Sequence, residues 1–179
     1  MSHPRPLFVA TVPVGAEALN VRLKDALLAM KSSVPDEGSH RASGQSYFEN
    51  KWLSPNRLHE SDSPVFQELA GTISALAGRF AGRPLQIASM WSIVSKEGME
   101  GKAHAHQGAV SIAYYVDPGT SGEEAGGLMQ FFANGPDKEP THRVVPQAGM
   151  LILFPSRLQH SVSRYTGDRP RIVISANLV

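Results

Sequence analysis

The sequence lacks cysteine altogether: none occurs among its 179 residues. Without thiols the chain cannot form disulfides, bind zinc through cysteine, hold an iron–sulfur cluster or use a cysteine nucleophile. Any metal site in this protein must therefore be built from histidine, aspartate or glutamate.

A strong charge of either sign is also missing. Seventeen Lys and Arg stand against 16 Asp and Glu, which gives a formal net charge of +1. A chain with so little excess charge has no extended field with which to attract nucleic acid. We therefore expect no nucleic-acid partner and favour a small-molecule substrate, while the oligomeric state stays open, with a homodimer as one alternative.

Long apolar runs are absent as well. The N-terminal segment 1–15 has only a short apolar run broken by Pro13, and no stretch approaches the roughly 18 apolar residues of a membrane span. We expect a cytoplasmic protein with no membrane partner. The length and the 41% hydrophobic content predict a single domain over residues 1–179.

The first half of the chain predicts two helices. Apolar residues at helical spacing, from Leu19 to Met30, favour a helix over residues 16–31, and a second pattern opens at Pro64 and ends near Gly78 or Gly82. The polar segment 32–46 between them is typical of a long mobile loop. Residues 1–83 are therefore interpreted as helical support with one variable loop.

The second half predicts a β-structure. Short runs rich in β-branched and aromatic residues are separated by Gly, Pro and polar turns, and a further run of this kind occupies residues 7–12. The runs after Pro84 are LQIASMWSIV, AVSIAYYV, LMQFF, MLILF, HSVSRY and RIVISANLV. This pattern indicates a mainly β fold over residues 84–179: a jelly-roll or cupin-like double-stranded β-helix with the two helices packed on one sheet.

Three histidines form the densest chemical signal. His104 and His106 stand two apart, so on a strand both imidazoles would point to one side, and His160 follows the buried-looking strand MLILF. A double-stranded β-helix can bring that distant residue beside the first two. A His-x-His pair alone more often has no metal, because histidine is commonly exposed or merely hydrogen-bonded.

Several segments together resemble a known enzyme family. The similarity is to the double-stranded β-helix core of iron(II) and 2-oxoglutarate-dependent oxygenases, and in particular to short oxygenases of that superfamily related to the prolyl hydroxylases. It extends over about two thirds of the chain. The matching segments are KWLSPNRLHESDSPVFQELAGTI, MWSIVSKEG, HAHQGAVSIAYYV, PQAGMLILFPSRLQH and GDRPRIVISAN.

The resemblance implies the site and its chemistry. His104 and His160 would be iron ligands, with His106 at the usual carboxylate position. Arg171 would pair with the distal carboxylate of 2-oxoglutarate, and Tyr115 would give a second hydrogen bond to it. The implied cofactors are Fe(II), 2-oxoglutarate as co-substrate and O2. The implied reaction oxidises, by default hydroxylates, an unactivated C–H bond and releases succinate and carbon dioxide.

The donor set departs from the widespread pattern of two histidines and one carboxylate. Three neutral imidazoles leave a bound iron(II) with its full charge and favour nickel, copper or zinc more strongly than a site with a carboxylate does. Two alternative functions therefore stand beside the oxygenase. One is a three-histidine cupin dioxygenase that does not use 2-oxoglutarate and has no need of Arg171; the other is a non-catalytic, metal-binding β-sandwich module.

Other residues have weaker signals. Trp91 is interpreted either as core or as a wall of the substrate pocket. His40 and His59 stand in polar contexts and are expected to be exposed, and His142 is expected in a loop or at a strand edge rather than on a metal. The glycine-rich segment 122–127 lacks the strand-to-helix context of a phosphate loop and is predicted to form a turn or lid.

Overall fold

The computed structural model describes residues 6–35 and 51–179. The mobile loop expected over residues 32–46 falls outside the described residues from position 36 onward, and His40 does so as well. Residues 32 and 33 belong to a helix.

Both predicted helices are present. Helix α1 spans Ala16–Ser33 and buries Leu19, Leu23 and Leu27 on one face. Helix α2 spans Pro64–Ala81, beginning at a proline, whose missing N–H matters least in the first turn. It ends at Gly82, whose φ of 72° is the left-handed conformation that glycine adopts at helix ends. Neither helix combines the length and the apolar character needed to cross a bilayer.

Within the described residues, ten strands form two antiparallel sheets. The larger sheet has the order β1-β8-β5-β10-β3-β2, and the smaller has the order β4-β9-β6-β7. The strands are β1 (Val9–Thr11), β2 (Lys51–Leu53), β3 (Ile87–Ser95), β4 (Gly101–His104), β5 (Val110–Asp117), β6 (Met129–Phe131), β7 (His142–Val144), β8 (Leu151–Pro155), β9 (His160–Val162) and β10 (Arg171–Leu178).

Side chains at alternate positions of the central strands belong to two different hydrophobic cores, one on each face of the larger sheet. In β5, Ile112 and Tyr114 belong to the core that contains the helix residues, whereas Ala113 and Tyr115 belong to a second core between the sheets. A buried hydrogen bond of 2.7 Å from the Tyr114 hydroxyl to Asn20 Oδ1 fixes α1 against the sheet. The helices therefore cover the outer face of the larger sheet and leave its inner face to the smaller sheet.

The predicted fold is confirmed: a mainly β structure of two facing antiparallel sheets, with two helices on one of them. The first 83 residues add more than support, because β1 and β2 extend the two edges of the larger sheet. Strand β1 lies inside the predicted run 7–12. Strand β2 was not predicted, since three residues, Lys51–Leu53, are too short to show an alternating pattern.

Candidate metal centre and cofactor pocket

The three histidines singled out by the sequence lie together between the sheets. His104 ends β4, His160 begins β9, and the two are direct cross-strand partners. Their ring centroids are 4.4 Å apart, and the ring of His106 lies 4.8 Å from His104 and 5.1 Å from His160. One ligand atom from each residue lies within 4.8 Å of the others. The three side chains could hold one metal ion.

His106 is not positioned by strand alternation, as the sequence predicted it would be. Strand β4 ends at His104, so His106 lies beyond the strand and does not share its alternation. Its backbone N–H donates a 2.8 Å hydrogen bond to the carbonyl of Ser156, after β8. This bond ties the segment to the larger sheet and directs the imidazole toward the other two.

Backbone carbonyls orient two of the imidazoles. His104 Nδ1 lies 2.7 Å from the Lys102 carbonyl oxygen, and His160 Nδ1 lies 2.9 Å from that of Leu158. A carbonyl can only accept, so in each ring Nδ1 carries the proton and Nε2 keeps its lone pair. A metal-binding histidine usually donates its second N–H to such a partner, which fixes the ring and its tautomer. Both residues are thus prepared as Nε2 ligands.

Burial keeps the imidazoles of His106 and His160 uncharged. The pKa of His160 is lowered to about 3, mainly by removal from water; the Leu158 carbonyl opposes this shift, and the neighbouring His104 and His106 add to it. Burial, followed by the charge of His104, lowers the pKa of His106 to about 4. Metal ligation needs neutral imidazole, so these two side chains are in the required form at neutral pH.

We expect the metal-free protein to lose stability as the pH falls below about 6.5, the ordinary pKa of histidine in an unfolded chain. Below that pH the two histidines are protonated in the unfolded chain. In the folded protein they stay neutral, because the pKa of His106 is about 4 and that of His160 is about 3. The free energy of unfolding should therefore be on the order of 1–2 kcal/mol lower at about pH 5 than at pH 7.5. Urea unfolding at the two pH values measures this difference.

His160→Gln should reduce that pH dependence, whereas His142→Gln, at an exposed position on edge strand β7, should leave it unchanged. Equal pH dependence in wild type and His160→Gln would show that His160 is not held neutral by the fold.

A cavity of about 470 Å³ opens beside the three histidines. The inner face of β10 forms one wall of this cavity, and residues of its two neighbouring strands, β3 and β5, continue that wall. The side chains that bear most on its chemistry are Trp91, His106, Tyr115, His160, Arg171 and Asn177. Trp91 is only partly buried, and its ring lies 6.3 Å from that of His106. Its position is that of a pocket wall rather than of the core.

Arg171 lies in this cavity and is almost fully buried, with 3% of its surface exposed. Its Nη2 donates a 3.0 Å hydrogen bond to the Gly127 carbonyl, and its guanidinium carbon lies 5.2 Å from the centre of the Tyr115 ring. Its Nε has no hydrogen-bond partner, and no carboxylate of the described residues pairs with it. Such a buried cation is prepared for an anionic ligand.

Tyr115 lies beside Arg171 on the neighbouring strand and is 1% exposed. Burial raises the pKa of its phenol, while the positive charge of Arg171 acts in the opposite direction. Burial likewise lowers the pKa of Arg171, and Tyr115 partly restores it. The phenol is therefore a neutral hydrogen-bond donor next to the cation. The two residues that the sequence singled out for a dicarboxylate are neighbours in the structure.

Gly127 belongs to the glycine-rich segment, and its carbonyl accepts the hydrogen bond from the Arg171 guanidinium. Its φ is +66°, and a Cβ there would lie 3.1 Å from Tyr165 Cδ2 and 3.5 Å from Arg171 Nε. We expect Gly127→Ala to lower stability by roughly 1–2 kcal/mol, the cost of a left-handed alanine. If Arg171 holds 2-oxoglutarate, as the resemblance implies, the variant should also weaken its binding, because backbone strain at residue 127 would displace the carbonyl that accepts the Arg171 hydrogen bond. Anaerobic titration and thermal unfolding measure the two effects.

Gly15→Ala is the matched control for that substitution, because Gly15 has a φ of +80° with nothing within 4 Å of its Cβ position. It should lose similar stability and keep normal affinity for 2-oxoglutarate. Equal loss of affinity in both variants would mean that Gly127 does not act through Arg171.

A chain of polar side chains at the other end of β10 was not predicted. The Ser111 hydroxyl donates to Asn177 Oδ1 at 2.7 Å, and Ser111 Oγ lies 2.9 Å from Ser156 Oγ. Since Ser111 has one proton, the Ser156 hydroxyl must donate to Ser111. Asn177 faces inward like Arg171 because the two are six residues apart on one strand, and this spacing was the signal that would have found it.

The remaining candidates lie away from the cavity. His142 begins edge strand β7 and is exposed, as expected. His59 was expected to be exposed, and this is wrong: its side chain is only 13% exposed. It lies in a 3-10 turn, Leu58–Glu60, and the bridge from Arg57 to Met90 holds this turn against β3. Residues 122–127 form a turn region, as predicted.

Comparison with protein families identifies the fold and the class of enzyme. Residues 89–177 match the family described as "Putative 2OG-Fe(II) oxygenase". The chain is similar to this oxygenase family over these 89 of its 179 residues. Its matched segment contains all three clustered histidines, Tyr115 and Arg171. The predicted class, an Fe(II) and 2-oxoglutarate-dependent oxygenase, and the predicted Fe(II), 2-oxoglutarate and O2 are confirmed through the family. No curated protein matches the chain.

Several solved structures share the fold. The epimerase SnoN from nogalamycin biosynthesis is 22% identical, with a TM-score of 0.71 over 98% of this chain and 78% of SnoN. HygX from Streptomyces hygroscopicus, with nickel, 2-oxoglutarate and hygromycin B bound, is 14% identical, with a TM-score of 0.72 over 96% and 82% of the two chains. The viral collagen prolyl hydroxylase of Paramecium Bursaria Chlorella virus-1 is 10% identical, with a TM-score of 0.70 over 97% and 95%.

Proposed function

We propose that this oxygenase hydroxylates an unactivated C–H bond of a small molecule. In this proposal His104, His106 and His160 hold iron(II), and Arg171 and Tyr115 hold 2-oxoglutarate. The observation that supports it most is Arg171: a buried guanidinium that faces the cavity of the three histidines, with an unpartnered Nε and no carboxylate partner among the described residues.

The three imidazoles fit a divalent metal. Two nitrogens bound to one ion at about 2.1 Å each are at most about 4.2 Å apart, and the three ligand atoms lie within 4.8 Å of one another. Small side-chain rotations would complete the site. His104 and His160 already use Nδ1 for backbone carbonyls, so Nε2 is the atom offered to the metal.

The far end of the cavity fits the distal carboxylate of 2-oxoglutarate. The Arg171 guanidinium offers Nε and its free N–H bonds to two carboxylate oxygens, which is the strongest geometry for such a pair. The Tyr115 phenol can donate beside it. Ile93 and Val173 also line the cavity, and their apolar side chains would help to exclude water from the bound molecule.

Iron, oxygen and 2-oxoglutarate together supply the oxidation of a C–H bond, with release of succinate and carbon dioxide. The chain then has to bind, orient and shield the reactants. The lining of the cavity supports this limited role for the protein side chains, since no Asp or Glu is among its described lining residues. No separate carboxylate acid or base is therefore assigned to the reaction.

A three-histidine dioxygenase without 2-oxoglutarate is the second candidate, because all three donors of the cluster are imidazoles. Such an enzyme would have no use for a buried cation at the end of the cavity. The discriminating experiment is titration of the iron-loaded protein with 2-oxoglutarate under anaerobic conditions, followed by measurement of succinate when oxygen is admitted. Saturable binding and succinate formation support the proposal; their absence leaves the second candidate.

A single functional domain over residues 1–179, a small-molecule substrate and a cytoplasmic location complete the proposal. Two structural relatives illustrate the range of substrates on this fold: HygX has hygromycin B bound, and a Trichoplax adhaerens prolyl hydroxylase has a peptide fragment. The cavity volume of about 470 Å³ lies in the range of small-molecule sites, and this supports the small molecule here.

A further inference from the structure

A row of polar residues crosses the inner face of the larger sheet at the end away from Arg171. Asn177 on β10 is the direct cross-strand partner of Ser89 on β3 and of Ser111 on β5. The two rows nearest to it on the same face are mainly apolar and consist of Trp91, Ser175 and Ala113, then Ile93, Val173 and Tyr115. Three polar side chains therefore meet beside an apolar surface.

Two buried hydroxyls fix the orientation of the Asn177 amide. Ser111 and Ser156 are 1% and 0% exposed, and their Oγ atoms lie 2.9 Å apart. The Ser111 hydroxyl donates its proton to Asn177 Oδ1 at 2.7 Å, and the Ser156 hydroxyl donates to Ser111 in turn. Because the amide is planar, this bond turns Oδ1 toward β5 and turns Nδ2 away from it.

The Asn177 amide nitrogen has donor capacity that the protein uses only weakly. Nδ2 has two N–H groups, and its partner among the described residues is Ser89 Oγ at 3.4 Å. That distance is longer than the roughly 2.7–3.2 Å of an ordinary N–H···O bond. Asn177 is half-buried and lines the cavity. An oxygen atom that enters the cavity can therefore accept a stronger hydrogen bond from Nδ2 than Ser89 does.

Asn177 lies too far from Arg171 to hold the same end of 2-oxoglutarate. The six residue steps between them extend about 20 Å along the strand, which a five-carbon molecule held by Arg171 does not span. Asn177 is instead linked through Ser111 to Ser156, whose carbonyl accepts the 2.8 Å bond from the His106 N–H. The amide therefore lies toward the clustered histidines, on the side of the cavity that is left to the substrate.

The surface next to Asn177 suits an apolar molecule. Trp91, Ile93 and Val173 line the cavity on the same face of the sheet. Walls of this kind bind the hydrocarbon or aromatic body of a ligand by burial, while a small number of polar groups fix its orientation.

We propose that Asn177 determines substrate specificity: Nδ2 donates a hydrogen bond to a carbonyl or ether oxygen on a small molecule with an apolar body. Ser111 is a positioning residue that keeps the amide in the donating orientation. This inference rests on the proposed function, since it places the substrate beside the three histidines and bound 2-oxoglutarate. Asn177 then orients the substrate and takes no part in its oxidation.

The experiment compares acetophenone with 2-phenylpropene, which has nearly the same shape but a methylene group in place of the carbonyl oxygen. Their dissociation constants for the iron-loaded, 2-oxoglutarate-bound protein are measured by ligand-observed NMR without oxygen, so that the readout does not depend on turnover. The preference for the ketone is the dissociation constant of 2-phenylpropene divided by that of acetophenone. The hydration of the free probes contributes equally to this ratio in every variant, so a change in the ratio reports the hydrogen bond.

Asn177→Leu keeps a similar side-chain shape and removes the amide. We expect it to lower the preference for acetophenone about fivefold relative to wild type, the contribution of one neutral hydrogen bond. Affinity for 2-oxoglutarate should stay within about twofold of wild type, since less than one hydrogen bond is then involved. Asn134→Leu is the matched control, because Asn134 is exposed and does not line the cavity, and it should keep the wild-type preference.

Ser111→Ala tests the positioning role. Without the Ser111 hydroxyl the amide can turn its oxygen toward the cavity, so the preference should fall by about twofold or more. In the Asn177→Leu background the same substitution should have no further effect, because the two residues act as one unit. General damage to the fold would weaken both probes alike and leave the ratio unchanged. An equal fall of the ratio in both backgrounds would show that Ser111 does not act through Asn177.

The outcomes separate the two proposals. Failure of 2-oxoglutarate to bind the iron-loaded protein would refute the proposed function and the substrate inference together. If 2-oxoglutarate binds but Asn177→Leu keeps the wild-type preference, the inference alone is overturned. It is also overturned if neither probe binds wild type, because an apolar carbonyl compound is then not a ligand. Loss of more than about twofold in 2-oxoglutarate affinity in Asn177→Leu would overturn it as well, because Asn177 would then belong to the co-substrate site.

Discussion

Replacement of His160 by alanine is expected to abolish iron-dependent turnover. His160 is 4% exposed, is the cross-strand partner of His104 and offers Nε2 toward the cluster. Substitution of residues that only orient a ligand typically costs 10–100-fold in metal affinity, so loss of a ligand should cost more than about 100-fold. Metal titration and oxygen consumption measure the two effects, and turnover should fall below about 1% of wild type.

An unfolding measurement and one further variant control for damage to the fold. His160→Ala removes the hydrogen bond to the Leu158 carbonyl and a buried ring whose centroid lies 4.7 Å from that of Phe154, so it should lower the free energy of unfolding by about 2–4 kcal/mol. His142→Ala removes an exposed histidine from an edge strand outside the cluster and should keep full metal binding. Wild-type iron affinity in folded His160→Ala would contradict the assignment of this residue.

The local sequence predicted the elements that the site depends on. Both helices have helical apolar spacing and end signals in proline and glycine, so their bounds agree with the prediction to within about two residues. The central strands β5, β8 and β10 are apolar runs that are buried on both faces along most of their length, and β3 is a run of nine residues, so the local sequence indicates all four clearly. Burial of such strands dominates the fold energetically.

The parts that local pattern did not predict are those that long-range contacts determine. Strand β2 has three residues and exists because β3 provides a partner along Lys51–Leu53. His106 is directed by a hydrogen bond to Ser156, fifty residues away, rather than by strand alternation. His59 is covered because its 3-10 turn packs on β3. None of these features has a periodic signal in its own segment.

The candidate site was predictable residue by residue, but its surroundings were not. His104, His160 and Arg171 each stand at a strand end, and their types are those that bind metals and carboxylates. Their approach to a single cavity depends on two sheets closing on each other, which only the family resemblance implied. The polar chain through Ser111 lay outside that resemblance.

Substitution of Arg171 by glutamine is expected to separate co-substrate binding from folding. The variant keeps much of the side-chain length but loses the charge and the fork of N–H donors that fits a carboxylate. If 2-oxoglutarate binds here, its affinity should fall by about 2–4 kcal/mol, or about 30- to 700-fold. Anaerobic titration of the iron-loaded proteins measures this, and iron affinity should be unchanged.

The stability of the ligand-free variant gives a second, independent result. In the wild-type chain Arg171 is a buried cation whose Nη2 donates to the Gly127 carbonyl and whose Nε has no partner among the described residues. A charge in that state destabilises the folded protein. Arg171→Gln should therefore be at least as stable as wild type without ligand, while 2-oxoglutarate should raise the melting temperature of wild type only. A residue that served only the fold would give the opposite pattern.

Arg169→Gln is the matched control, because Arg169 lies two residues away but is exposed, with its Nη2 3.4 Å from Asp117 Oδ2. Its loss should leave 2-oxoglutarate affinity within about twofold of wild type, since an exposed ion pair contributes at most about 1 kcal/mol, and that to stability rather than to the cavity. Equal affinity in wild type and Arg171→Gln would refute the assigned role of Arg171 and favour an oxygenase whose co-substrate, if any, binds elsewhere. A large loss in Arg171→Gln together with wild-type iron binding would leave the buried guanidinium as the group that holds the distal carboxylate.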